Sequence, residues 1–133
     1  MSTEVAPWDV ARLKSLRPAL TLTTSAAPEE TLATLDLALR QSGWTIRQRT
    51  TTSLQAREIE WFSVIAGRLN RCLLDLVVEA ADTSGTRVVV RARSFPAGDP
   101  GRKKAARGLS DALRLLRQQG HTVHATDWYP ADR

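Results

Sequence analysis

Between residues 44 and 95 the side chains repeatedly switch character with a period of two, an alternation that suits a half-buried strand and not a helix. Trp44 and Ile46 oppose Thr45, Arg47 and Arg49, and Leu54 and Ala56 oppose Gln55 and Arg57. Leu74, Leu76 and Val78 oppose Asp75 and Glu79, and Val88, Val90 and Ala92 oppose Arg87, Arg91 and Arg93. Taken in phase, four strands place Arg47, Arg49, Arg57, Arg87, Arg91 and Arg93 on one side of a sheet and an apolar set on the other. The pattern predicts one core face and one cationic face.

The strands near 73–81 and 87–95 are the most regular, and the Asp82-Thr83-Ser84-Gly85-Thr86 stretch between them predicts a hairpin, with glycine supplying a positive φ. The strand near 53–65 is less regular. Its second half, Trp61, Phe62, Val64 and Ile65, is apolar on both parities, which predicts a bulge or a second burial surface.

Helical signals flank these strands. Pro28, Glu29 and Glu30 open a helix whose stripe is Leu32, Leu35 and Leu39 and whose stop is Gly43. Leu109, Ala112, Leu113 and Leu116 give a second stripe ending at Gly120, and Gly108 places the start of that helix nearer Ser110. Leu20 and Leu22 alternate with threonines and predict a strand over 19–24. Residues 1–18 read as an arm or short helix ended by Pro18, residues 19–120 as one domain, and residues 121–133 as a tail whose Trp128 and Tyr129 pack back on it.

The element order β-α-β-β-β-β-α predicts an α+β two-layer sandwich, an antiparallel sheet with its helices on one face. Over residues 19–119 this order resembles two groups of domains, the TATA-binding-protein-like fold and the small helix-grip domains. The first resemblance implies a sheet face that binds a polymer. The second implies a cavity between helix and sheet that holds an apolar ligand.

The 133 residues suffice for one ordinary core. Cys72 is the only cysteine, so no internal disulfide forms, and no apolar run is long enough to span a membrane. Asp9, Arg12, Lys14 and Arg17 interrupt any leader-like apolar region, which places the protein in the cytoplasm. The formal charge of +5 favours acidic partners, although arginine supplies sixteen of the nineteen basic residues, a bias also expected of a GC-rich bacterial genome.

Three surfaces are candidates for function. The arginine face offers forked donors suited to phosphates and carboxylates, unless Asp75 and Glu79 pair with Arg87 or Arg91 and neutralise it. Arg102, Lys103, Lys104 and Arg107 follow a Gly-Asp-Pro-Gly loop and form either an anion site at a helix start or a solvated basic loop. Trp61, Phe62, Val64 and Ile65 suit a protein partner or a homodimer. The His121, His124 and Asp127 spacing does not bring two imidazoles together in an extended segment, and Glu58 and Glu60 lack an accompanying nucleophile. The sequence therefore predicts a non-enzymatic binding domain without cofactor or metal, for a protein partner or self-association. Nucleic acid on the arginine face and an apolar ligand between helix and sheet are the alternatives.

Overall fold

The computed structural model describes residues 5–7, 18–59, 71–95 and 99–130. The elements, in chain order, are β1 (Pro18–Thr24), α1 (Pro28–Gln41), β2 (Thr45–Arg49), β3 (Ser53–Ile59), β4 (Arg71–Asp82), β5 (Gly85–Phe95), α2 (Asp99–Gln118), β6 (Val123–Ala125) and β7 (Tyr129–Pro130). They form an α+β two-layer sandwich. The antiparallel sheet runs β2-β3-β4-β5-β1-β6, and β7 also pairs with β1. The two helices cover one face.

Pairing in the centre of the sheet fixes which side chains are enclosed. Leu76 lies opposite both Leu54 and Val90, and Leu20 opposite Val90, so one parity of four strands is continuous. Leu20, Leu22, Leu54, Leu74, Leu76 and Val88 are fully enclosed beneath Leu32, Leu35 and Leu39 of α1 and Leu109 and Leu116 of α2. At roughly 1.5–3 kcal/mol for each fully buried side chain of this size, this layer is the main favourable contribution to folding.

Local chemistry explains the ends of α1. Pro28 occupies its first turn with Glu29 and Glu30 beside it, and Gly43 terminates it at φ +92°. For α2 the structure corrects the expected boundary. The helix begins at Asp99, about three turns before Ser110, so the basic cluster at 102–107 is helical and not a loop. Gly108 carries a helix-propensity penalty of about 1 kcal/mol, yet tertiary packing overrides it. A Cβ at Gly108 would lie 2.8 Å from Leu39 Cδ2, so the missing side chain is what lets α2 approach α1 closely. Ala105 and Ala106, both buried, extend the same close contact.

The segment after α2 is more ordered than a tail. Leu22 pairs with Ala125 and Thr24 with Val123, while Ala19 pairs with Tyr129, which adds two short strands to the β1 edge. Trp128 donates from Nε1 to the Ala6 carbonyl at 2.7 Å. Val5 is buried and exchanges two hydrogen bonds with Ser110 Oγ.

Candidate functional site

The open face of the sheet follows from the same register. Arg57 lies opposite Leu73, Leu73 opposite Arg93, Asp75 opposite Arg91, and Arg87 opposite Thr23. Directly paired residues point to the same side, so Arg57, Arg87 and Arg91 share the face turned away from the helices.

Arg47 and Arg49 of the expected set do not join them. Register slips between Ile46 and Gln48 in the β2–β3 pair, leaving Arg47 as the extra, exposed residue of a bulge. Beyond the bulge the phase of β2 is inverted, and Arg49 falls opposite Leu54, on the helix side. There its Nη1 lies 3.0 Å from Asp36 Oδ2, and Arg40 Nε donates to the other oxygen of the same carboxylate. Asp36 is 6% exposed, so two guanidinium groups compensate a carboxylate that the packing of α1 removes from water.

On the open face the arginines are differently placed. Among the described residues, no ion pair joins Asp75 or Glu79 to Arg87 or Arg91. Asp75 accepts from Gln55 Nε2 at 2.8 Å among its contacts, and among the described residues Arg57, Arg87 and Arg91 hold no ion pair. Arg57 is half-buried, and its Nε is enclosed without a hydrogen-bond partner. Between these charges lie apolar side chains. Val77 is 37% exposed and sits across from Val89, and Tyr129 is equally exposed at the β1 edge, its hydroxyl 2.9 Å from Thr21 Oγ1.

The basic cluster of α2 divides in a different way. Lys103 and Arg107 are exposed one turn apart, whereas Lys104 is half-buried and reaches the C-terminal end of α1, its Nζ within 3.4 Å of the position a Gly43 Cβ would take. A cation there complements the negative end of the α1 dipole. The Lys104 carbonyl accepts from Trp44 Nε1, so this residue joins the two helices. Arg102 lies in the first turn of α2. Trp61, Phe62, Val64 and Ile65, with Glu60, lie outside the described residues.

A second feature lies where the β4–β5 hairpin, the end of β1 and the start of β6 meet. A cleft of about 390 Å³ is lined there by residues including Thr23, Ser25, Asp82, Arg87, Thr122 and His124. Its sides are held firmly. Ser25 N donates to the Thr122 carbonyl at 3.0 Å, and Thr122 N donates to Ser25 Oγ at 2.9 Å. His121 Nε2 lies 2.9 Å from Glu30 Oε1, with Nδ1 3.5 Å from Ser25 Oγ. These contacts latch the chain after α2 to the turn before α1.

Opposite the latch, Gly85 adopts φ +149°, and a Cβ on it would lie 2.1 Å from the Thr24 carbonyl oxygen. Only glycine allows the hairpin to come this close to β1. Hydrogen bonds from the Ser84 hydroxyl and amide and from the Gly85 amide hold the Asp82 carboxyl below its ordinary pKa of 3.8. Among the described residues, no group of three or more metal-ligating side chains forms. His121 is committed to Glu30, while His124 lies on the open face opposite Thr23.

The alternation in the sequence puts Arg57, Arg87 and Arg91 on the face that the register gives them, because their strands keep an even phase into the core, whereas the Arg93 side chain lies outside the described residues. Sequence patterning missed Thr23, His124 and the latch, which come together only through pairings between residues about a hundred positions apart. No family model and no curated protein matches this sequence.

Proposed function

We propose that this chain is a binding module that holds an acidic protein surface on the open face of its sheet. The observation that supports this reading is the set of arginines Arg57, Arg87 and Arg91, without an ion pair among the described residues, interspersed with the exposed apolar surface of Val77 and Tyr129. Apolar contact area ringed by arginine, with tyrosine at its border, is the composition found where protein interfaces concentrate their binding energy. An ordinary solvated sheet face would have satisfied its charges across strands.

Nucleic acid is the weaker reading of the same face. Proteins that hold single strands stack successive bases on a series of aromatic rings, whereas the described aromatics offer Tyr129 at the β1 edge, Trp44 being buried in the core and Trp128 bonded to the Ala6 carbonyl. A phosphate backbone also gains nothing from the exposed Val77.

The test is fluorescence anisotropy with two labelled probes of equal net charge, an acidic peptide containing leucine and phenylalanine and an oligonucleotide, over a salt series. The expected result is tighter binding of the peptide, with part of the affinity surviving high salt because the apolar contact is not screened. Preferential oligonucleotide binding with a steep negative salt slope would overturn the reading in favour of counterion release from phosphates. Binding of neither probe would make the arginines a solubility feature.

No helix among the described residues is long and apolar enough to cross a membrane.

A further inference from the structure

We infer that the cleft beside the β4–β5 hairpin binds a small oxyanion, the carboxylate or phosphate group of a small molecule, between Arg87 and His124 and over the Thr23 hydroxyl. This site goes beyond the sheet-face reading and does not rest on it, because its ligand is small and two of its three groups, Thr23 and His124, lie outside the set of residues on which that reading stands.

Register supplies the geometry. Thr23 pairs with Arg87 on one side and with His124 on the other, so the three side chains rise at one level from adjacent strands. At about 4.8 Å between strands, the outer two stand about 10 Å apart at the backbone. That gap admits a carboxylate or phosphate with the threonine hydroxyl beneath it. The cleft volume of about 390 Å³ lies within the range of small-molecule sites.

The chemistry agrees with the shape. Arg87 offers a planar fork suited to two oxygens, the imidazole and hydroxyl add further donors, and among the described residues none of the three is engaged by a partner. Asp82 is the acidic side chain lining the cleft, and its oxygen is turned into its own hairpin by Ser84, where it does not neutralise Arg87. Both sides are fixed, one by the Ser25–Thr122 bonds and the other by the approach of Gly85 to Thr24. A ligand therefore meets a formed site and little ordering cost attaches to binding.

The experiment is a titration of ¹⁵N-labelled protein with inorganic phosphate and, separately, with acetate, the ionic strength being held constant with chloride. Saturable shifts confined to the amides of Thr23, Ser84, Gly85, Arg87 and His124 are expected for at least one anion. Tighter phosphate binding identifies a phosphate-bearing ligand, and tighter acetate binding a carboxylate. Arg87→Gln is expected to weaken the binding about tenfold or more, the usual scale for a hydrogen bond to a charged group. His124→Gln and Thr23→Val, both at exposed positions, are expected to weaken it less and to retain the native spectrum. Shifts that do not saturate, that spread over all basic residues, or that persist in both Arg87→Gln and His124→Gln would overturn the assignment. Acidic-peptide binding that is unchanged in His124→Gln and Thr23→Val, while phosphate or acetate binding weakens in both, would separate this site from the sheet face.

Discussion

The two faces of the sheet are built from the same strands and the same arginine-rich vocabulary, yet they treat charge in opposite ways. On the covered face Arg49 meets Asp36, and Arg40 completes the neutralisation of a carboxylate withdrawn from water. On the open face Arg57 lies opposite Leu73, Arg87 opposite Thr23 and Arg91 opposite Asp75, yet among the described residues none of the three holds an ion pair. Burial makes an uncompensated charge costly, so the packed side must pair its ions, whereas solvent lets the other side keep unpaired cations at little cost. Unpaired charge on the open side is thus available to a partner.

The sharpest way to break this comparison uses two adjacent residues of β4. Leu76 is fully enclosed and Val77 is 37% exposed on the opposite face. Leu76→Ala is expected to lose about 3–4 kcal/mol in urea unfolding, from the transfer term and the cavity together, and Val77→Ala less than about 1 kcal/mol. Equal losses would show that the open face is itself a core.

Gly85→Ala should follow closely, with a loss of about 3 kcal/mol, because the new Cβ collides with a backbone carbonyl at a positive φ. An unchanged melting temperature would mean that the hairpin stands off β1 in solution, and the cleft with it.

Asp36→Asn tests the covered face. It leaves Arg49 and Arg40 without their shared carboxylate, but both guanidinium groups are about half exposed and well screened, so a loss of about 1–2 kcal/mol is expected. On the open face the triple change of Arg57, Arg87 and Arg91 to glutamine should move stability by no more than about 0.5 kcal/mol per site while abolishing acidic-peptide binding. A large stability loss there would indicate that these arginines hold the fold rather than a partner.

The smallest effect concerns Asp82. Its carboxyl is held below 3.8, so its contribution is present above that pH and is lost as the pH falls through the lower folded value. Comparison of wild type with Asp82→Asn in acid unfolding should show the two curves converging below about pH 4 and separated slightly above it.

The composition of each layer was already legible in the order of the residues. The alternation at Leu74, Leu76, Val88, Val90 and Ala92, and the helical stripes at Leu32, Leu35, Leu39, Leu109 and Leu113, fixed the core, because side-chain direction in regular structure follows from local period alone. Tertiary structure decided what local period cannot carry. The bulge after Ile46 sent Arg49 to the helix side, since one inserted residue inverts every later side chain. The approach of α2 to Leu39 extended that helix through Gly108, overriding its propensity. The cleft required β1 to meet both β5 and β6, bringing together Thr23, Arg87 and His124, whose proximity depends on long-range pairing that no window of sequence contains.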